Sequence, residues 1–395
     1  MKAFRFELGL FIKSLTFFAF VFAGFAFYYT QYQTSVNQQI SAAKAGEQYD
    51  SANYFMRPQA NCSDYGESQQ RSHGQLMQNA LANLQYEYQH NTFETYPFLF
   101  LKTVHLNKAD KQKIRAEFKQ LTGQNIRSFS EKDLQWQRRA SYSQFVKSMA
   151  HVDQIIGGHS VYRTDNLTSF VSGKKLTYHA ALKTYQQKLK VDQVSRSFAR
   201  LYSDYWGIII VLLSVFPISL YYAKSSRENC QEVLTIRTLP LWRYLGNQYL
   251  AVVGTLFLLT LAFAILPTIQ LINMGHFLGA QVDYFAFAKT ITLFVLPTIM
   301  WVAALLLLLT QFFQPLLTMI SSVALGVFII ATTNITGLTK WSPLLRFNES
   351  DDWQLYATLR HSIYLNRLLY VGLSLGLFGL AVLIKARKQG GVHGR

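Results

Sequence analysis

The chain has 395 residues, of which 50% are hydrophobic and 15% aromatic, and its formal net charge is +17. The apolar residues are concentrated in runs long enough to cross a bilayer, which excludes a single soluble domain. The positive charge is spread along polar segments and forms no single patch, so the sequence does not indicate nucleic-acid binding. The two cysteines, Cys62 and Cys230, are too few for a disulfide scaffold.

Residues 1–30 are a short basic N-terminus followed by the first apolar run, Leu10–Tyr29. Tyr28 and Tyr29 at the end of this run suit a membrane interface, which favours a first transmembrane helix. A cleaved signal peptide is the alternative, because small residues around Gly24 follow a basic start. No strong turn signal precedes those small residues, so we expect the segment to be retained as a span.

Residues 31–204 are rich in Gln, Asn, Ser, Tyr and Lys and are predicted to form a mainly helical domain. Apolar residues recur at helical spacing over Lys108–Leu121, Asp133–Ile156 and Lys174–Leu201. Gly157 is expected to end the second of these helices. A segment of this length is able to bury a small core of its own.

Five further apolar runs are predicted to be spans two to six. They form a bundle that occupies residues 205–395, although the run of span two starts slightly before residue 205. The inner loop 224–247 carries four cations against two acids, and the tail after residue 384 is basic without an acid. An excess of Lys and Arg in short loops marks the cytoplasmic side. The runs are Leu201–Tyr222, Tyr249–Ile272, Phe285–Leu309, Leu316–Ile335 and Leu368–Ile384.

The predicted fold is therefore an all-α integral membrane protein of the cell membrane, with six transmembrane helices and both termini cytoplasmic. The domain of residues 31–204 is expected outside the cell membrane, between spans one and two. Residues 336–366 contain Trp341, Trp353 and Tyr356, which favour an extracytoplasmic segment lying at the membrane interface.

The loop between spans two and three has an apolar stripe at roughly helical spacing, from Val233 to Leu239, and Pro240 ends it. Glu228 and Glu232 are one helical turn apart and share a face. The pattern predicts a short amphipathic helix on the inner side of the membrane. An ordinary membrane-surface helix is the simpler alternative.

Arg227-Glu228, Glu232-Val233-Leu234, Pro240, Arg243 and Gly246 resemble the first cytoplasmic loop of ABC-2 type permeases, the membrane subunits of many bacterial ABC exporters. Cys230-Gln231 stands where Gly-Thr is usual in that loop. The six-span plan with a large first outer domain is similar to the sodium-efflux type of this family.

The resemblance implies a permease subunit that exports a substrate with ATP hydrolysed by a separate cytoplasmic ABC ATPase. It also implies a dimer with a second permease copy or a paralogue, surrounded by membrane lipids. Family habit favours peptides, lipids or lipophilic drugs as cargo. The residues expected to couple to the ATPase are Arg227, Glu228, Glu232, Val233, Leu234, Ile236 and Leu239.

No catalytic or nucleotide-binding motif is present in the sequence. It contains no G-x-x-x-x-G-K-[ST], no H-E-x-x-H and no G-x-S-x-G, so we expect no enzyme activity and no directly bound cofactor. The spans contain almost no charged residues, which argues against an ion-coupled pump. His151 and Asp153 are two residues apart and point to different faces of a helix, so no metal site is expected.

Gly372, Gly376 and Gly379 in the sixth span have the spacing of small residues that let two membrane helices approach closely. Packing of this helix against a partner is therefore predicted, although small residues also occur on lipid-facing surfaces.

Two other functional classes are compatible with the sequence. One is a ligand-sensing membrane receptor, or an immunity or resistance protein, that acts through its extracytoplasmic domain. Such a protein would depend on a partner for output, because the cytoplasmic segments are short. The other is a membrane-embedded enzyme, for which the acidic cluster Glu349, Asp351 and Asp352 lacks a histidine at useful spacing.

Overall fold

A computed structural model describes residues 2–67, 73–96, 102–126, 141–164, 166–167, 175–227, 240–332, 342–347 and 353–390. The chain divides into two compact units. The bundle unit contains Met1–Arg57 and Leu182–Arg395, and the inserted unit contains Pro58–Ala181. The inserted unit is thus shorter than the predicted domain of residues 31–204, whose two ends belong to the bundle unit.

The described residues are mostly α-helical, as predicted, with one two-stranded sheet. Two short π-helical turns, Tyr29–Gln33 and Ile291–Val295, interrupt helices of the bundle unit. The helices are α1 (Lys2–Ile12), α2 (Leu15–Tyr28), α3 (Thr34–Ala45), α4 (His73–His90), α5 (Lys108–Thr122), α6 (Tyr142–Ile156), α7 (Tyr178–Asp192), α8 (Ser195–Leu212), α9 (Val215–Arg227), α10 (Leu241–Phe277), α11 (Ala286–Thr290), α12 (Leu296–Leu309), α13 (Pro315–Thr332) and α14 (Trp353–Gly390), and the strands are β1 (Phe93–Thr95) and β2 (Lys102–Val104).

Local capping residues define the helices of the inserted unit. Asn107 accepts a hydrogen bond from the backbone N–H of Asp110 at the start of α5. Ser141 and Gln144 form a capping box at the start of α6, and Gly157 ends that helix with a left-handed φ of 110°. The prediction for Lys108–Leu121 is confirmed. The predicted second helix, Asp133–Ile156, is confirmed over Tyr142–Ile156, and its first residues lie outside the described residues.

The inserted unit has its own hydrophobic core, as its length predicted. Helices α4, α5 and α6 contribute apolar residues from one face each, and β1 pairs antiparallel with β2. Tyr162 is fully buried and donates a 2.7 Å hydrogen bond to Glu87, while Asn83 donates to the same phenol oxygen. Core members include Leu84, Phe93, Ile114, Phe118, Phe145 and Met149.

The first apolar run of the bundle unit is bent and is not one straight helix. Ser14 accepts a hydrogen bond from the N–H of Phe17 and so caps α2, and the segments Ala3–Ile12 and Leu15–Ala45 meet at 59°. The run predicted over Leu10–Tyr29 therefore combines the end of α1 with all of α2. The helical path then continues beyond the predicted span as far as α3.

The third helix predicted from periodicity is divided at two consecutive residues with positive φ. Gln193 has a φ of 46° and Val194 a φ of 58°, so α7 ends and α8 begins there. A second break, at Leu213 and Ser214, separates α8 from α9. Pro217 causes this second break, because a proline ring clashes with the carbonyl four residues earlier.

Among the described residues, four helical segments are long and apolar enough to cross a membrane, and the bent pair formed by α1 with α2 and α3 would make a fifth. Pro315–Ile330 is a shorter apolar helix. The sixth predicted span is part of α14, whose first residues, 353–366, belong to the same continuous helix as the span. The four segments are Ser195–Ala223, Leu241–Phe277, Ala286–Leu309 and Tyr356–Lys388.

One aromatic cluster joins the first helices of the bundle unit to its centre. Tyr32 and Tyr202 are fully buried, and each donates a hydrogen bond to a backbone carbonyl of a neighbouring helix. Tyr28 and Trp206 pack in the same cluster against Phe263 of α10. Buried tyrosines with satisfied hydroxyl groups fix the relative positions of α2, α8 and α10.

Candidate functional site

The loop on which the functional prediction depends lies outside the described residues. Residues 228–239 are not described, and they include Glu228, Glu232, Val233, Leu234, Ile236 and Leu239. Arg227 is the last residue of α9, and Pro240 has an extended backbone and precedes α10. The ends of α9 and α10 therefore define one end of the bundle unit, which we call the Arg227 end.

A buried carboxylate joins α1 to both helices that flank this loop. Glu7 on α1 is only 6% exposed and accepts a 2.6 Å hydrogen bond from the hydroxyl of Tyr221 on α9. The side chain of Gln248 on α10 lies next to the same carboxylate. Because α1 also packs along α10, these contacts hold the N-terminal helix against both helices that lead into and out of the loop.

The same cluster extends to the C-terminal helix. Gln248 donates a 2.8 Å hydrogen bond to the hydroxyl of Tyr244. The ammonium group of Lys385 on α14 lies 5.6 Å from the centre of the Tyr244 ring, and this lysine is buried. Helices α1, α9, α10 and α14 are thus linked by polar side chains at the Arg227 end.

We call the opposite end of the bundle unit, at which Asp283 lies, the Asp283 end. This end contains a fully buried arginine. Arg367 on α14 is 2% exposed, and all of its acceptors are neutral. Its Nη1 donates to the carbonyls of Phe294 and Pro343 and to the hydroxyl of Thr298, at 3.1–3.2 Å. Its Nη2 donates to the carbonyl of Ser342 at 3.0 Å.

The side chain of Asn366 accepts hydrogen bonds from the remaining N–H groups of Arg367. No ion pair in the described part of the chain includes Arg367. A buried cation is costly unless hydrogen bonds compensate for lost hydration. Here the compensation comes from carbonyl and amide dipoles. Through these hydrogen bonds Arg367 fixes the backbone of residues 342–347.

A second buried charge holds the other end of this non-helical segment. Asp204 on α8 accepts a 3.0 Å hydrogen bond from the N–H of Phe347 and pairs with Arg346 at 2.6 Å. Leu344 lies against Gly207, where an added Cβ would overlap with the leucine side chain. Leu345 packs against Phe294 of the π-helical turn before α12. Residues 342–347 are therefore fixed between α8, α12 and α14.

The α7–α8 junction lies near the Asp283 end. Ser195 at the start of α8 accepts from the N–H of Asp283 and donates to its carbonyl. The Asp283 carboxylate also binds Arg196 at 3.1 Å and Lys289 at 2.9 Å. Burial alone would raise the pKa of Asp283, but the hydrogen bonds from Lys289, Arg196 and the Phe285 N–H outweigh burial and lower it.

The predicted packing glycines of α14 have no neighbour within the described part of this chain. A Cβ built at Gly372, Gly376 or Gly379 would meet nothing within 4 Å. Packing of this face against a second copy or a paralogue stays a prediction.

The candidate metal ligands do not come together. Among the described residues, no group of three or more His, Cys, Asp or Glu side chains could hold a metal ion. His151 instead contacts Glu117 at 2.7 Å, and Asp153 accepts from the backbone and hydroxyl of Ser160. Cys62 is a free thiol, and Cys230 lies outside the described residues.

Sequence reasoning missed several buried charges of the bundle unit, among them Glu7, Asp204 and Arg367. Each lies close to the end of a predicted span, where a charged side chain is ordinarily assigned to the interface. Charges inside membrane helices mark polar contacts within the protein. Asp204 lies inside the predicted run Leu201–Tyr222, and a carboxylate within an apolar run was the available signal.

Comparisons with known proteins find no matching family model, no similar curated protein and no similar solved structure. The features of this chain that bear on its function are therefore the motif in the loop and the geometry of the two polar clusters.

Proposed function

We propose that the chain is the permease subunit of an ABC-2 type exporter, working with a separate cytoplasmic ATPase. In this account the bent α1–α2 pair and α13 are spans as well, which together with the four long apolar segments makes six. Both termini and the Arg227 end lie in the cytoplasm. The inserted unit and the Asp283 end lie outside. The cation-rich loop at the Arg227 end supports this orientation.

The observation that carries the proposal is the attachment of α1 to both flanks of the loop through Glu7. A permease without its own ATP site needs a rigid contact that passes nucleotide-driven movement to its spans. Tyr221 donates a hydrogen bond to this carboxylate and Gln248 lies next to it, so both helices that bound residues 228–239 meet Glu7. A displacement of the loop by a bound ATPase would then move α1, α9 and α10 together.

The loop supplies a surface of suitable chemistry for that contact. A short helix with an apolar stripe fits a groove on a partner, and the anchor residues of such grooves contribute most of the binding energy. In the helix that the sequence predicts here, Glu228 and Glu232 share a face and would meet basic residues of the ATPase. Arg237 and Arg243 are assigned to lipid phosphates in this account.

Affinity purification of the tagged full chain from its native membranes tests the proposal. We expect a P-loop ATPase to co-purify with the wild-type chain, and the eluate to hydrolyse ATP. Leu234→Asp should lose this partner, whereas Tyr86→Asp, at an exposed position of the inserted unit, should keep it. Purification of the wild-type chain with a signalling protein and without any ATPase would instead favour the receptor alternative.

A further inference from the structure

The junction between α7 and α8 has a backbone conformation that its residues disfavour. Gln193 and Val194 have consecutive positive φ values of 46° and 58°. The N–H of Ser195 donates to the carbonyl of Gln193, and Val194 has a ψ of −54°, so Val194 is the central residue of a γ-turn of the rare, strained type. Val194 is also fully buried. Such a conformation persists only where the surrounding contacts determine it.

The local sequence favours one continuous helix across this junction. Apolar residues keep helical spacing over Lys174–Leu201, and no Gly, Pro or Asn occurs between Tyr178 and Trp206. In a continuous helix the N–H groups of residues 194–196 would donate to the carbonyls four positions earlier. The chain therefore has a second conformation in which neither junction residue has a positive φ.

A buried ion pair opposes the continuous helix. Arg200 donates two hydrogen bonds of 2.9 Å to the carboxylate of Asp192, and both side chains are buried. In a continuous helix these two residues would lie about 12 Å apart along the axis and point in different directions. The two-bond contact is lost in that geometry, so this ion pair forms only while the helix is interrupted.

The contacts that hold the start of α8 do not depend on the interruption. The hydroxyl of Ser195 exchanges hydrogen bonds with the backbone of Asp283, and the guanidinium of Arg200 lies 4.7 Å from the centre of the Tyr356 ring on α14. On the other side of the junction, the division between the two units of the chain falls within α7, after Ala181. A change at the junction therefore alters the direction in which α7 leads away from a fixed α8.

We propose that the α7–α8 junction is a two-state hinge that the ion pair of Asp192 with Arg200 holds in its interrupted form. In the second form, residues 178–212 are one continuous helix and the ion pair is broken. The release of two positive φ values offsets part of the loss of the ion pair, which makes the continuous form an accessible minor state. The hinge is independent of the proposed transport function.

Distances between two spin labels distinguish the two forms in the full chain in nanodiscs. Cys62 and Cys230 are replaced by serine, and the labels are attached to cysteines placed at Gln187 on α7 and Ile208 on α8. In a continuous helix the Cα atoms of these two positions lie about 32 Å apart. We expect the wild type to give one main distance, which belongs to the interrupted form.

Arg200→Lys weakens the ion pair without removing its charge, because lysine lacks the planar fork that makes two hydrogen bonds. We expect this variant to add a second, narrow component at the continuous-helix distance. The share of this component should rise at least about tenfold over the wild type, as for the loss of one hydrogen bond between charged groups. Arg196→Lys is the matched control, since it makes the same change at a half-exposed arginine one turn earlier, and it should resemble the wild type.

Val194→Gly in the Arg200→Lys chain tests whether backbone strain favours the continuous form. Glycine adopts a positive φ readily and is unfavourable in the interior of a helix. We therefore expect the double variant to lose the second component and to return to the wild-type distance. A merely structural role of Arg200 would not predict this rescue.

Three results would overturn the hinge. They are the wild-type distance alone in a folded Arg200→Lys variant, a broad distribution that indicates local unfolding of α7, and a second component that survives Val194→Gly. If Arg200→Lys does not fold, as judged by its melting transition, Asp192→Asn weakens the same contact from the other side and carries the same expectations. None of these measurements includes an ATPase, so a failure here is distinguishable from failure of the proposed function.

Discussion

The carboxylate of Asp192 accepts two hydrogen bonds of 2.9 Å from the guanidinium of Arg200, across the two residues that separate α7 from α8. Both side chains are buried, and the guanidinium also lies 4.7 Å from the centre of the Tyr356 ring on α14. The ion pair therefore fixes the path of the chain at Val194, a β-branched residue with a φ of 58°. A paired charge at this position stabilises a junction that its backbone conformation disfavours.

Arg200→Ala should lower the free energy of unfolding by about 3–5 kcal/mol, because it leaves the Asp192 carboxylate buried and unpaired. Arg196→Ala is the matched control, since Arg196 is a half-exposed cation one turn away whose ion pair contributes about 0–1 kcal/mol. The measurement is the midpoint of thermal unfolding of the purified chain. Similar midpoints for the two variants would contradict the role assigned to the ion pair.

Asp283 predicts a loss of stability in acid. Its pKa is lowered in the folded chain, so its contribution is complete above the unfolded value of about 3.9 and declines as the pH falls through the folded value. Asp283→Asn should melt below the wild type at neutral pH, and the difference should shrink as the pH falls below about 4. The check is the melting midpoint as a function of pH. A constant difference across this range would argue against the carboxylate as its source.

Glu87 in the inserted unit predicts the opposite pH dependence, which is a loss of stability as the pH rises. Burial raises the pKa of Glu87, and the hydrogen bond from Tyr162 opposes this only in part. The folded state thus holds the proton more tightly, and stability declines as the pH rises from the unfolded pKa of about 4.3 to the higher folded value. Glu87→Gln keeps an acceptor for Tyr162, so its midpoint relative to the wild type should increase with pH. A relative midpoint that decreases with pH would refute this account.

The sequence predicts the helical class and most of the apolar runs because the runs exceed the length of a bilayer crossing. It also predicts α5 and the end of α6, where Asn107 and Gly157 provide local capping signals. The division at Gln193 and Val194 was not predictable, since neither residue favours a positive φ. Tertiary contacts such as the pair of Asp192 with Arg200 impose that conformation, and periodicity does not report them.

The candidate site was predictable only in part. The motif of the loop is local and was found in the sequence, whereas the two polar clusters combine residues that are far apart in the chain. Glu7 meets Tyr221 across 214 positions, and Asp204 meets Phe347 across 143. A single sequence contains no periodic signal for such contacts. The buried segment 342–347 is likewise too short to show a pattern.

Two glycines in the bundle unit should respond oppositely to alanine. A Cβ at Gly207 would overlap with Leu344, and overpacking of this kind costs about 1–3 kcal/mol. A Cβ at Gly372 meets nothing within 4 Å, so Gly372→Ala should be neutral or stabilise α14 by up to about 1 kcal/mol. Thermal unfolding of both variants in detergent provides the comparison. A more stable Gly207→Ala variant would contradict the close packing of residues 342–347 on α8.

The rate of ATP hydrolysis in nanodiscs that contain the ATPase with or without this chain tests the central claim most directly. We predict that the wild-type chain stimulates hydrolysis, and that Leu234→Asp and Glu232→Lys lose most of the stimulation, because groove anchors contribute more than about 2 kcal/mol each. Arg237→Gln, in the same loop but assigned to lipid, should retain it. Full stimulation and full ATPase association in both Leu234→Asp and Glu232→Lys would contradict the account, since the loop would then be only a membrane-surface helix.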